Sequence, residues 1–523
     1  MSTMNTQGRQ TTPDAISIRE HKTISGNRGL AQAEKLIFEI GTPRRTGVDF
    51  PTLKGVKTRL GGRLGGRLGG MERTDEIGLP GLSEPETMRH YVRLSQKNYA
   101  IDMGVYPLGS CTMKHNPRLN EKMARLPGFA DVHPLQPRGT VQGALELMDE
   151  LGDWLIKLTG MPAVAMSPKA GAHGELCGMM AIRAALDAKG ADHKRRVLVP
   201  ESAHGTNPAT AVQCGFTIDS IPANAKGRVD LEALKAKLGD DVAGVMLTNP
   251  NTCGLFENDI IEIADLIHGV GGYFYCDGAN FNALVGRVRP GDLGIDAMHL
   301  NLHKTFSTPH GGGGPGSGPT VLSEALAPFA PVPYVEKYNG KWKLVEDAEG
   351  SESFGRMTAF HGQMGMFVRA LSYMLSHGAD GLKQATEDAV LNANYVQASL
   401  SGDMSPAFGG ICMHEALFND DFLGGTGVET LDFAKAMIDE GYHPMTMYFP
   451  LVVKGAMLIE PTESESKAEL DRFIKVMKGL AKRAKAGETD FFKAAPIYAP
   501  LRRLDETRAA RKPVLRWREE TSA

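Results

Sequence analysis

The chain has 523 residues, 42% apolar and 23% charged, with 58 Lys and Arg against 61 Asp and Glu for a net charge of −3. That length should divide into two or three domains with sizeable cores, and the near-neutral balance argues against a nucleic-acid or membrane partner. Apolar runs such as Val242 to Leu247 stop well short of a membrane span.

Met1 to Glu20 is polar, without the apolar stretch of a signal peptide or the arginine-rich amphipathic pattern of a transit peptide, so a cytoplasmic protein is expected. The six cysteines, Cys111, Cys177, Cys214, Cys253, Cys276 and Cys412, form no Cys-x-x-Cys pair. That distribution points to reduced thiols rather than a disulfide framework or a zinc site.

Residues 1–85 show little periodicity and read as an extended N-terminal arm. Within it Arg-Leu-Gly-Gly occurs three times in tandem from Arg59 to Gly70, which reads as a flexible insertion. The pattern then predicts a large domain over 86–365. A bridging helix and a smaller α+β C-terminal domain are expected within 366–523.

From Leu151 to Pro319 short apolar runs alternate with amphipathic stretches. Val197 to Val199, Val242 to Leu247, Tyr273 to Tyr275 and Ala297 to Leu302 read as strands. Glu175 to Ala188 and Ile260 to Ile267 have helical spacing. Strands alternating with helices imply a mostly parallel sheet covered on both faces, with ligands beyond the carboxyl ends of the strands. Further on, Met366 to Leu400 reads as the bridging helix, Thr446 to Phe449 and Met457 to Ile459 as strands, and Ala468 to Ala484 as an amphipathic helix.

Each of the four large-domain strands runs into polar or small residues. Val199 leads to Glu201-Ser202-Ala203-His204, Leu247 to Thr248-Asn249-Pro250-Asn251, Tyr275 to Asp277-Gly278-Ala279-Asn280, and Leu302 to His303-Lys304-Thr305. Such a series suggests one site. A lysine at a strand end can join a carbonyl as a Schiff base, above all that of pyridoxal phosphate.

That cofactor makes separable demands. Its phosphate needs backbone amides at a helix start, which Gly171, Ala172 and His173 would supply. Its ring nitrogen needs a carboxylate to stay protonated, a place for Asp277. His204 could lie on the ring face, and Thr248 or Asn249 could meet the 3-hydroxyl. Lys304 stands 27 positions after Asp277.

The order of these elements resembles fold type I of the pyridoxal phosphate enzymes, the aspartate aminotransferase superfamily. Three strings narrow the resemblance: Tyr106-Pro107-Leu108-Gly109-Ser110-Cys111-Thr112-Met113-Lys114, Glu201-Ser202-Ala203-His204-Gly205-Thr206-Asn207-Pro208-Ala209 and Asn301-Leu302-His303-Lys304-Thr305-Phe306. With Leu82-Ser83-Glu84-Pro85-Glu86 and Ile459-Glu460-Pro461-Thr462-Glu463, they are similar to the second subunits of the glycine decarboxylase P proteins of the glycine cleavage system. The likeness runs from Glu34 to about Tyr498.

The resemblance implies an α/β, mostly parallel large domain that binds pyridoxal phosphate. It implies decarboxylation of glycine with transfer of the aminomethyl group to the lipoyl group of an H protein. It further implies pairing with a homologous subunit 1, as a two-plus-two heterotetramer. Lys304, His204 and Asp277 would be catalytic, and His303 and Asn280 would join the cofactor contacts. Ser110, Cys111 and Thr112 are candidates for contacting the glycine carboxylate or the acceptor. The glycine-rich loop from Gly311 to Gly318 is expected to form one wall of a small substrate pocket. Two rivals stand beside this reading: transamination or glutamate-type decarboxylation on the same cofactor, and a scaffold subunit without activity.

Overall fold

The computed structural model describes residues 34–518 apart from 43–44, 48–68, 72, 76, 312–313, 315, 348 and 500–501. The first part of the expected arm and nearly all of the Arg-Leu-Gly-Gly repeat therefore lie outside the described residues. Two compact units result, one of Ala100–Lys493 and one of the residues up to Tyr99 together with those from Ala494.

In the latter unit, α1 (Glu84–Ser95) starts at a capping box, where Glu86 accepts from the Ser83 N–H at 2.8 Å. Further along α1, Arg93 clamps the Glu34 carboxylate through two bonds of 2.6 Å. Phe38 stacks on Trp517 at 5.4 Å.

In the larger unit, after short helices at Arg118–Ala124 and Pro127–Ala130, come α2 (Gln142–Thr159), β1 (Ala163–Ala165), α3 (Gly171–Ala188), β2 (Arg196–Pro200), α4 (Thr206–Gln213) and β3 (Thr217–Ile221). It continues through β4 (Val242–Thr248), α5 (Ile260–Gly269), β5 (Tyr273–Asp277), β6 (Ala297–His299), α6 (Leu302–Thr305) and β7 (Thr320–Leu322). A hairpin, β8 (Tyr334–Tyr338) and β9 (Lys341–Val345), precedes α7 (Met364–Leu400). Then come β10 (Ser405–Pro406), β11 (Ala416–Asn419), β12 (Thr446–Met447), β13 (Met457–Ile459) and α8 (Lys467–Lys485).

The seven-stranded sheet has the order β1-β7-β6-β5-β4-β2-β3. From β6 to β3 all pairs are parallel, while β7 runs antiparallel to β6 and to β1. Its middle strands read as unbroken apolar runs because both faces are covered. Leu198, Val245, Leu247 and Phe274 pack with residues of α2, α5 and α7. Their neighbours Val197, Val199, Met246 and Tyr275 pack on the other side with Met179 and Ile182 of α3. In β4 and β5, Thr248 pairs with Asp277, which sets two polar strand ends at one level.

Several expectations need adjustment. The run from Ala297 to Leu302 is a strand only to His299, and Leu302 already begins the short helix that carries Lys304. α7 kinks at Gly378, whose φ of 65° breaks the helix. β3 escaped the sequence reading because it is an edge strand: Thr217 and Ser220 are exposed, and Asp219 accepts from Arg196 at 2.9 Å.

Because Phe274 is wholly buried at the sheet centre, Phe274→Ala should destabilise the chain by about 3–5 kcal/mol. Ile218→Ala on edge strand β3 should cost only about 1 kcal/mol. Thermal unfolding of the two variants checks the order, and equal losses would contradict this placement of the core.

Candidate active site

A cavity of about 420 Å³ opens beyond the carboxyl ends of β2, β4, β5 and β6. Among its lining residues are Lys304, Asp277, His204, Gly171, Ala172, Thr248, Asn280, His303, Ser110 and Cys111. Three other predicted residues do not line it. His173 turns its Nδ1 back to accept the Lys169 N–H at 3.1 Å. Asn249 accepts the Glu257 N–H at 3.0 Å, and Thr112 directs its hydroxyl to Glu460 at 2.5 Å. Of the glycine-rich loop, Gly311, Gly314 and residues 316–318 are described, and none of these lines the cavity.

Lys304 extends from the single turn of α6, and its Nζ donates to the Ser110 carbonyl at 2.8 Å. Across the cavity, α3 starts at Gly171 with no side-chain cap. Its first amides are free to meet an anion. Gly171 admits this approach, since a Cβ there would come within 2.8 Å of Asn301 Oδ1. His204 is exposed at the mouth, with Nδ1 accepting the Thr206 N–H at 3.2 Å and its ring edge-on to Phe449 at 5.8 Å.

Asp277 is only 4% exposed, so its carboxylate needs partners. One oxygen accepts the Ala279 N–H at 2.9 Å and lies 3.5 Å from His299 Nε2. The other accepts at 3.1 Å from Asn207, with the amide oriented by its neighbours, and the same Asn207 nitrogen reaches Glu175 at 2.9 Å. Behind His299, the Tyr275 hydroxyl meets its Nδ1 at 2.6 Å. Burial, followed by the charge of Asp277, pushes Glu175 up to about 8. Glu175 is therefore the neutral partner at pH 7, which leaves Asp277 beside no second anion.

The remaining groups around Lys304 are kept neutral. Burial, and then the neighbouring charges of His310 and Lys304, lowers His303 to about 3. His310 falls to about 4 for the same first reason, with Lys304 next. Burial raises the Cys111 thiol, with Lys304 opposing. Around Lys304 the pocket is thus built from neutral donors and acceptors, with the Asp277 carboxylate as its anionic group. Among the described residues, four buried polar atoms around it, Thr248 Oγ1, Asn280 Oδ1, Asn301 Oδ1 and His303 Nδ1, have no hydrogen-bond partner. Orphaned atoms of this kind are rare in folded chains unless a ligand meets them.

Sequence reasoning missed Glu175, Asn207, His299 and Asn301. Glu175 follows Gly171 by four residues and so shares its helix face. His299 and Asn301 alternate with apolar residues just before Lys304, a period-two signal that was available.

Glu175 gives this network a pH signature. Between pH about 4.5 and about 8 it is protonated in the folded chain and ionised in the unfolded one. Unfolding then releases a proton, so stability falls as pH rises through that window. In cofactor-free protein, Glu175→Gln should raise the melting temperature relative to the parent more at the top of the window than at the bottom. A constant difference across the window would show that Glu175 is not held protonated.

Comparisons with known proteins follow the same residues. The family model described as glycine dehydrogenase, C-terminal domain, matches residues 385–496, and the aminotransferase class-V model matches residues 174–314. The chain is 67% identical to the probable glycine dehydrogenase (decarboxylating) subunit 2 of Caulobacter vibrioides, covering 99% of both chains. It is 50% identical to that of Caldanaerobacter subterraneus subsp. tengcongensis, over 93% of this chain and 99% of the relative. Among solved structures, an inhibitor-bound glycine decarboxylase (P-protein) of the glycine cleavage system superposes with a TM-score of 0.70. It is 20% identical and covers 83% of this chain and 100% of that one. A rice TDC with PLP and tryptamine superposes at 0.61 with 14% identity, over 83% of this chain and 93% of that one. The architecture is therefore that of the fold type I pyridoxal phosphate enzymes, and by its full-length identity the chain belongs to the glycine dehydrogenase (decarboxylating) subunit 2 family.

Proposed function

We propose that this chain is the lysine-bearing subunit of a glycine decarboxylase, which releases the carboxylate of glycine as carbon dioxide and passes the aminomethyl group to the lipoyl group of an H protein. The observation that carries this reading is the meeting of the Lys304 amine, the buried Asp277 carboxylate and the uncapped start of α3 in one cavity. The orphaned polar atoms around that cavity fit pyridoxal phosphate, a ligand with polar groups on several edges.

When bound, pyridoxal phosphate supplies an electron sink for the pair left behind as carbon dioxide departs. Lys304 is the residue to hold its carbonyl carbon. Gly171 and Ala172 at the start of α3 would take the phosphate, with neutral His303 close by. Asp277 would hold a proton on the ring nitrogen, a task its network suits because the neighbouring carboxyl of Glu175 is neutral. Thr248 is better placed than Asn249 for the 3-hydroxyl. Its Oγ1 is unpartnered at the cavity wall, whereas Asn249 does not line the cavity and its Oδ1 accepts the Glu257 N–H. His204 at the mouth would lie against the ring, and Ser110 and Cys111 border the space left for glycine and the acceptor.

The names of the relatives, each a subunit 2, support a partner subunit 1, and we extend this to a two-plus-two heterotetramer in the cytoplasm. Among the described residues no helix is long and apolar enough to cross a membrane. Transamination or glutamate-type decarboxylation would need an arginine for a second substrate carboxylate. No arginine lines the cavity among the described residues.

The test combines purified chain, subunit 1 and lipoylated H protein and follows exchange of labelled bicarbonate into glycine. Lys304→Ala should lower that exchange by at least about 10³-fold. Borohydride should fix the cofactor to the parent chain at Lys304 and to the variant not at all. Covalent cofactor retained by Lys304→Ala would overturn the assignment. Exchange that requires no H protein would overturn the acceptor.

A further inference from the structure

The segment Ser110-Cys111-Thr112 runs past Lys304 in an unusual backbone shape. Ser110 has φ 66° and Thr112 φ 46°, both in the left-handed region. Residues other than glycine stay there only when their surroundings hold them. Here the hold comes from the small sheet of β10, β11, β13 and β12. Glu415 precedes β11 and Glu460 follows β13, and the register pairs Ala416 with Ile459, so the two glutamates sit side by side. Neither has any exposed surface.

Glu415 Oε2 accepts the Ser110 N–H at 2.8 Å. Glu460 Oε2 accepts the Thr112 N–H at 2.8 Å, and its Oε1 accepts the Thr112 hydroxyl at 2.5 Å. The approach to this sheet is close, since a Cβ on Gly109 would lie 2.7 Å from the Leu458 carbonyl oxygen. With the N–H groups turned to the glutamates, the carbonyls face the other way. Ser110 O accepts from Lys304 Nζ at 2.8 Å, and Cys111 O lies 2.8 Å from His310 Nε2.

His414 stands beside the same carboxyls, and the three side chains lie close enough together to suggest a cation site. The loop already engages three of the four carboxylate oxygens, which leaves too few free donors for a cation. We infer instead that Glu415 and Glu460 are positioning residues: they clamp Ser110 to Thr112 so that the Ser110 carbonyl holds the Lys304 amine in place whenever that amine is not joined to the cofactor. The inference rests on the assignment of Lys304 made above, but not on glycine being the substrate. Burial, then the charge of Glu460, pushes Glu415 well above the ordinary carboxyl range, so the clamp does not set two full negative charges side by side.

The experiment uses the full-length chain with cofactor removed, treated with acetic anhydride, and measures acetylation of Lys304 by peptide mass alongside amide exchange over residues 109–113. Glu460→Ala should speed both about tenfold, the effect of losing hydrogen bonds to a charged group. Glu460→Gln, which still offers one oxygen to the loop, should fall between Ala and the parent. Should Glu460→Ala fail to fold, Thr112→Val removes only the hydroxyl bond and should move both readouts the same way by a smaller factor. Faster amide exchange with unchanged Lys304 acetylation would mean a merely structural clamp and overturn the inference. These readouts need no glycine turnover, so loss of bicarbonate exchange in the parent enzyme would count against the proposed reaction and not against the clamp.

Discussion

A carboxylate buried at the end of a central strand has lost most of its hydration, and the structure must replace it or neutralise the group. Asp277 is held by the Ala279 N–H, by Asn207 and by His299, which is itself fixed by Tyr275. Each partner comes from a different element: the turn after β5, the first turn of α4, the end of β6 and the middle of β5. The sheet register is what makes this convergence possible, because β5 lies between β4 and β6 with all three strands parallel. Remove that register and Thr248, Asp277 and Lys304 no longer share a cavity.

The electrostatics follow from the same constraint. Glu175 on α3 reaches toward Asp277, and two anions so close in a dry site would repel strongly. The conflict is resolved by Glu175 keeping its proton. On the Lys304 side the histidines stay neutral, since burial and the lysine charge both disfavour a second cation. The cavity therefore separates one anion from one cation across a space lined with unpaired polar atoms.

A second body of structure closes the site. The region matched by the glycine dehydrogenase C-terminal model supplies Thr446 and Phe449 to the cavity wall and Glu415 and Glu460 behind it. Strands β11 and β13 are apolar and fully buried along most of their length, and this packing lets two glutamates sit at their ends without water. The loop from Leu108 to Thr112 lies against that sheet while the Ser110 and Cys111 carbonyls face Lys304 and His310. The smaller sheet thereby shapes a site whose lysine and aspartate it does not carry.

What was legible in the sequence was local. Apolar runs buried on both faces announced β2, β4 and β5, and the polar residues that end them announced the site, because a strand's hydrophobic pattern and its termination are properties of adjacent residues. What was not legible depended on direction or on distant chain. His173 lies half a turn from Gly171 and faces away, and Asn249 alternates out of the cavity that Thr248 enters. Edge strand β3 lacks an apolar face, and antiparallel β7 is a three-residue strand that the connection after Lys304 returns to the sheet. Local pattern was enough for the mostly parallel α/β architecture, the family, the aspartate that ends β5 and the lysine that follows β6. Only the tertiary structure decided which neighbours hold their charges. The protonation of Glu175 and the clamp from Glu415 and Glu460 arise from burial and contacts between residues far apart in the chain, and no local pattern encodes these.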